Sequence, residues 1–317
     1  MRVLVTGASG FIGNRLVRRL VKRGHEVVCL VRRADVVDNL KATGVRGCIV
    51  ADITDRESIM NAISSSKDVD VLIHLAALNP LVKDRRLQYN VNINGMRNLI
   101  DAIAGTRLGR FVYAQGMGVF GNLHGSIVDD DSKYRPETWF TRLRRDAEMM
   151  LWNASASRSK DSGFSISIAI LGDVYGNGGW FRNILVEGLI KSRFGLGFMI
   201  PGNGDYYRCF IHVDDAVEAL ALMAEVDRVG NERFIVCDDE PCTFREFVYY
   251  TSDMLGVKRP PRVPLWLARA FLGSDIVDTL TASVRASNTK AKQMLNLTLR
   301  YPNYRVGIRS VVDEIDK

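Results

Sequence analysis

Val3-Leu-Val-Thr-Gly7-Ala-Ser-Gly10-Phe-Ile-Gly13 is the stretch whose reading decides the fold. Four apolar or β-branched residues run into a glycine turn, and an apolar-periodic segment with Ile12, Leu16, Leu20 and Val21 on one face follows. That order is strand, tight turn, helix. Glycines let a backbone approach a pyrophosphate and aim its N–H groups at it, where the helix adds the positive end of its dipole. The spacing is GxxGxxG, and the surrounding strand and helix give it meaning. Gly7, Ser9, Gly10, Phe11, Ile12 and Gly13 are therefore expected to bind a dinucleotide.

The second strand of such a unit ends near the adenosine ribose. A carboxylate there, about 20 residues past the glycines, accepts from the 2′-hydroxyl of NAD. Here Val27-Val-Cys-Leu-Val31 ends in Arg32-Arg33, with Asp35 two residues into the loop. Guanidinium groups bind a 2′-phosphate through paired hydrogen bonds. The expected cofactor is NADP rather than NAD.

Working outward, apolar strands alternate with helical patterns. Strands are expected at 2–6, 26–31, 47–50, 69–75, 110–114, 164–171 and 233–237, and helices at 12–23, 58–64, 90–103, 138–154, 212–225 and 243–255. Strands buried on both faces, alternating with helices, imply an α/β fold: a Rossmann-like doubly wound parallel sheet. Residues 1–171 are expected to form the cofactor domain, with 205–237 returning to it. Residues 172–204 and 238–317 are expected to form a smaller C-terminal substrate lobe.

Composition narrows the class. The chain has 317 residues, 47% hydrophobic, with five scattered cysteines, four histidines and a net charge of +7. No cysteine lies in a CxxC spacing and no His/Cys cluster appears, so no metal site is expected. The basic clusters fall on separate elements without interleaved aromatics, which argues against nucleic-acid binding. No apolar run approaches the roughly 18 residues of a membrane span. The expectation is a cytoplasmic protein with a small-molecule substrate and no membrane partner.

Six further motifs occur in order: Asp52-Ile53, His74-Leu-Ala-Ala77, Asn92-Ile-Asn-Gly95, Val174-Tyr175-Gly176, Val213-Asp-Asp215 and Leu299-Arg-Tyr-Pro302. Together they resemble the extended short-chain dehydrogenase/reductase family of nucleotide-sugar epimerases, dehydratases and reductases. The resemblance implies that Asp52 and Ile53 contact the adenine, that Ala76 and Ala77 line the ribose and nicotinamide path, and that Arg208 faces a substrate phosphate. Asn92 joins the cofactor set, Trp180 and Met117 the substrate set. A homodimer through the 90–103 and 138–154 helices would follow the family.

The family's catalytic set is a Ser or Thr after the fifth strand and a YxxxK on the next helix. Tyrosine exchanges the proton, lysine lowers its pKa and holds the ribose, and serine orients the carbonyl. This chain departs at all three positions, with Gly116 for serine, Phe140 for tyrosine and Arg144 for lysine. Phe140 has no proton to give, while Arg144 can still hydrogen-bond a ribose. Tyr134, Tyr175, Tyr113, Tyr207, His124 and Asp173 are candidate proton donors, and Gln115 can orient a carbonyl through its amide. His74 is expected to be a satisfied strand histidine. The implied activity is an NADP-dependent oxidoreductase with a non-standard proton donor, acting on a sugar nucleotide or other small metabolite. A non-catalytic NADP-binding protein and a nucleotide-sugar epimerase are the alternatives.

Overall fold

The computed structural model describes residues 1–66, 68–78, 80–157, 164–191 and 197–315. Its centre is a seven-stranded parallel sheet of β1 (Arg2–Thr6), β2 (Glu26–Val31), β3 (Gly47–Val50), β4 (Val71–His74), β5 (Arg110–Gly116), β6 (Ser165–Leu171) and β7 (Glu232–Val236). The spatial order is β3-β2-β1-β4-β5-β6-β7, so the order reverses between β1 and β4. Ligands of open parallel sheets bind at that reversal, beyond the carboxyl ends of the strands. This is the Rossmann-like architecture read from the sequence.

The labelled helices are α1 (Phe11–Lys22), α2 (Arg56–Ser64), α3 (Gly95–Ile103), α4 (Trp139–Ala156), α5 (Val213–Glu225), α6 (Phe244–Met254), α7 (Leu265–Leu272), α8 (Ser274–Thr281), α9 (Thr289–Leu295) and α10 (Tyr304–Ile315). One apolar cluster, with Leu4, Leu72, Phe111, Leu99, Ala147 and Leu151, fills one face of the sheet under α2, α3 and α4. The opposite face packs Val3, Val5, Leu16, Leu20, Ala216 and Leu220 under α1 and α5. Burying each of these leucines contributes about 2 kcal/mol. Across the second face, Arg19 pairs with Glu218, Arg23 with Glu218 and Glu225, and His25 with Glu225 at 2.7 Å. Arg19 and Arg23 are thus neutralised by α5.

A third cluster, with Tyr175, Phe181, Phe210, Phe247, Tyr304 and Ile308, forms the core of the smaller lobe. The chain returns to the sheet twice. Residues 213–236 supply α5 and β7, and Ala291, Leu295 and Leu297 then pack on the α5 face. The sequence reading had left that second return inside the lobe; its apolar spacing alone does not say which core it joins. The 90–103 helix also differs from its simple reading, since Asn90–Asn94 form a wider π turn between the short helix Arg85–Tyr89 and α3.

Candidate functional site

The glycine turn is built for close backbone approach. Gly7 has φ +71°, and a Cβ on it would lie 2.8 Å from the Ala76 nitrogen. A Cβ on Gly13 would collide with the Gly7 carbonyl. Gly10 is the N-cap of α1 and offers no side-chain cap, so the first N–H groups of the helix remain open to an anion. Ser9 and Gly10 are exposed beside them. Phe11 places its ring against Gly176, Gly178 and Gly179, while Arg15 stacks 4.7 Å over that ring and donates to the Asn177 carbonyl at 2.7 Å. Ile12 is half-buried against the core below.

The two arginines after β2 separate cleanly. Arg33 is held bidentate by Asp35, whereas Arg32 is exposed and has no ion-pair partner among the described residues. Past β3, Asp52 accepts from the Thr54 amide at 2.9 Å and its hydroxyl at 2.8 Å, leaving its second oxygen open. Ile53 is buried against Gly95, and its carbonyl accepts from Asn98. Ala76 is half-buried and Ala77 exposed at the mouth of β4, with the Ala76 amide 3.3 Å from the Thr6 hydroxyl. That hydroxyl bonds His74 Nδ1 at 2.7 Å. Burial, and secondarily Arg144, push the imidazole pKa down to about 3, so His74 is neutral. The glycine turn, Arg32, Asp52 and Ala77 lie at the carboxyl ends of the first four strands or just beyond them.

At the family's catalytic positions the side chains turn elsewhere. Arg144 is buried; it donates to Asn92 Oδ1 at 3.0 Å and to the Ala114 carbonyl, and lies 4.8 Å over the Tyr113 ring. Asn92, in the π turn, donates in turn to the Gln88 carbonyl. Arg144 therefore ties α4 to the end of β5 and to the π turn. Gly116 is exposed, and a Cβ there would meet nothing within 4 Å. Gln115 and Tyr134 both donate to the fully buried Glu148, Tyr134 at 2.8 Å. Glu148 also accepts from Trp152 at 2.8 Å and pairs with Arg233 at 2.6 Å. Desolvation and the Glu148 charge push the Tyr134 hydroxyl well above its usual pKa. This network was invisible in the sequence, because Arg233 lies 85 residues from Glu148.

The remaining candidates scatter. Tyr175 is fully buried among Phe181, Phe210, Phe247 and His212 in the lobe core. Tyr113 is buried in β5 and stacks on His74. Trp180 donates to the Val174 carbonyl at 2.8 Å and packs on Phe210. Met117 is buried in the sheet core. Arg208 and Asp173 meet as a bidentate pair at 2.6 and 2.7 Å, and Arg208 Nη1 also donates to the Thr279 and Leu280 carbonyls. The guanidinium expected to face a phosphate is matched by a carboxylate.

Phe140 and Trp139 line an open cleft of about 380 Å³, together with Val82, Lys83, Phe271 and Leu272. A second cleft of about 450 Å³, on the other side of α7 and α8, presents Glu137, Asp205 and Asp278 against one guanidinium, Arg269.

A sequence profile described as the NAD dependent epimerase/dehydratase family matches residues 3–237. The chain belongs to this family. A 3-diazoavenalumate denitrifying reductase of a Streptomyces species is 30% identical, over 97% of this chain and 99% of that protein. A 4-hydroxy-2-methyl-3-oxo-4-farnesyl-3,4-dihydroquinoline-1-oxide ketoreductase of Stigmatella aurantiaca is 26% identical over 90% of this chain and 84% of its own. The solved structure of MoeE5 in complex with UDP-glucuronic acid and NAD superposes with a TM-score of 0.83 at 26% identity, covering 100% of this chain and 99% of that one. The cofactor of this family member is a nicotinamide dinucleotide, and its relatives are reductases, dehydrogenases and epimerases.

Proposed function

We propose that this protein is an NADP-dependent reductase of an apolar, ring-bearing acceptor that carries no diphosphate. The Asp173–Arg208 pair carries this reading. A sugar nucleotide brings a doubly charged diphosphate, and an arginine already matched to a half-buried carboxylate has no net charge to offer it. The cleft at Phe140 suits an aromatic or alicyclic ring. By their names the Streptomyces relative acts on a diazo compound and the Stigmatella relative on a dihydroquinoline oxide, while MoeE5 was solved with UDP-glucuronic acid.

Gly7, Gly10 and Gly13 would hold the pyrophosphate on the α1 amides, Arg32 the 2′-phosphate, and Asp52 the adenosine end. When bound, the reduced cofactor supplies a hydride. The residues at the reaction end then position and shield rather than donate. Phe140 places a ring where a hydroxyl would stand, and Arg144 fixes the end of β5 through Ala114. Tyr134 and Gln115 are engaged by Glu148. An acceptor suited to such a site needs no proton from the protein at the moment of hydride capture. An aryl diazonium is one: the new C–H bond forms as the C–N pair leaves with dinitrogen, and no proton is consumed. An activated ketone that takes its proton from solvent is another.

The test is NADPH consumption by the purified protein with an aryl diazonium acid, a cyclic ketone and UDP-glucose. Turnover of the diazonium acid or the cyclic ketone and none of UDP-glucose supports the reading. Turnover or epimerisation of UDP-glucose overturns it. Tight NADPH binding with no turnover of any acceptor supports the non-catalytic alternative, which the internal bonding of Arg144, Tyr134 and the Gln115 Nε2 group favours.

A further inference from the structure

Helix α7 reads Leu265-Trp-Leu-Ala-Arg-Ala-Phe-Leu272, and Ala268 is its one buried residue. Trp266 is 71% exposed, Phe271 72% and Leu272 38%. An apolar helix normally buries a stripe against the fold. This one stands out from the surface instead, entered through Pro260, Pro261 and Pro264 and turned at Gly273 (φ +92°) into α8. Its neighbour in space is the segment after β4, where Lys83 donates to the Phe271 carbonyl and Arg85 pairs with Asp275. Leu81 on that segment is also exposed.

The chain segments on either side of this apolar tip are net basic, while Glu137 and Asp205 border α7 from the second cleft. Across residues 80–89 and 253–278 there are seven Lys or Arg (Lys83, Arg85, Arg86, Lys258, Arg259, Arg262, Arg269) and four Asp (Asp84, Asp253, Asp275, Asp278), a net of +3. Three of the arginines are paired, Arg85 with Asp275, Arg259 with Asp253 and Arg269 with Asp278. Lys258 and Arg262 are exposed without an ion pair among the described residues. Exposed Trp, Phe and Leu next to the unpaired Lys258 and Arg262, which lead into α7, match the boundary of an anionic phospholipid surface, where rings sit among acyl chains and ammonium and guanidinium groups meet lipid phosphates.

We infer that α7 docks this protein on an anionic phospholipid surface, tip first. Among the described residues no helix is long and apolar enough to cross a membrane. The expectation of no membrane partner rested on that absence, which does not bear on a helix lying in the interface. Phe271 and Leu272 belong both to the exposed tip and to the cleft that reaches Phe140, so the docked face opens the cleft toward the lipid. The docking itself does not depend on the proposed reaction.

The experiment is sedimentation of the full chain with vesicles of phosphatidylcholine alone and of phosphatidylcholine mixed with phosphatidylserine. Tryptophan emission is followed in parallel. Binding is expected to the mixed vesicles only, with a blue shift, and to weaken with added salt. Trp266→Glu is expected to weaken it on the order of tenfold, and Lys258→Glu with Arg262→Glu to remove the preference for phosphatidylserine. Both variants should keep the wild-type melting temperature and NADPH affinity, which separates lost docking from lost folding. No sedimentation with either vesicle overturns the inference. So does self-association of the free chain that Trp266→Glu abolishes while vesicles capture nothing, since the face would then be a contact between copies.

Discussion

Asp173→Asn is the substitution that bears most on the substrate reading. The carboxylate holds Arg208 through two short contacts, 2.6 and 2.7 Å, with the side chains 29% and 16% exposed. The amide keeps one acceptor, turns a donor toward the guanidinium and deletes the charge. Removing one partner of a fully buried pair costs about 3–5 kcal/mol. Partial exposure and the carbonyls of Thr279 and Leu280, which still accept from Arg208, reduce this to about 2–3 kcal/mol. For a chain of 317 residues that lowers the melting temperature by roughly 3–5 °C. The same change frees a guanidinium for phosphate, and a charge-assisted hydrogen bond contributes about 1.5–3 kcal/mol. UDP-glucose affinity should therefore rise about 10–150-fold. Differential scanning fluorimetry reads the first effect and isothermal titration calorimetry the second. A thermally neutral variant whose UDP-glucose affinity equals that of the wild type would refute the argument that Asp173 sequesters Arg208.

Arg32→Ala should lower NADPH affinity about 10–150-fold and leave NADH affinity nearly unchanged, as followed by quenching titrations, because the expected loss is one charge-assisted phosphate contact. Gly116→Ser should fold with wild-type stability, since its Cβ enters open space, whereas Arg144→Lys should cost about 2–3 kcal/mol in denaturant unfolding by leaving Asn92 and the Ala114 carbonyl without a fork-shaped donor. Asp238, buried with both carboxyl oxygens unpartnered, has its pKa raised by burial from 3.8 to about 8. Its carboxyl stays protonated in the fold while the unfolded chain ionises, so stability is lost as pH rises from about 4 to 8, on the order of several kcal/mol. Asp238→Asn should flatten the melting-temperature profile across that range and raise it at pH 8; an unchanged profile would contradict the burial argument.

What the sequence made legible was local. The glycine turn works through residues three apart, and the strand–helix rhythm is that of the parallel sheet. Motif spacing located Phe140 and Arg144 on one face of α4. Pairings across the fold were not legible. Arg32 and Arg33 are alike in sequence, and only the loop geometry assigns Asp35 to Arg33. Asp173 and Arg208 stand 35 residues apart and meet because their neighbours pair as strands, with Asp173 beside Phe210. The engagement of Tyr134 by Glu148 likewise needs α4 to dock on β5. The exposure of α7 was hidden for a different reason. Its composition reads as a core helix, and only the packing shows that no described residue covers Trp266 or Phe271.

The central claim, hydride transfer to an acceptor without a diphosphate, is tested most directly by following deuterium from NADPH labelled at nicotinamide C4. Mass spectrometry of the products after incubation with an aryl diazonium acid, a cyclic ketone and UDP-glucose reads the outcome. The account predicts deuterium on carbon in the arene or the alcohol, and none in the sugar. Label recovered in a UDP-sugar, or in no product while NADPH binds tightly, would contradict it.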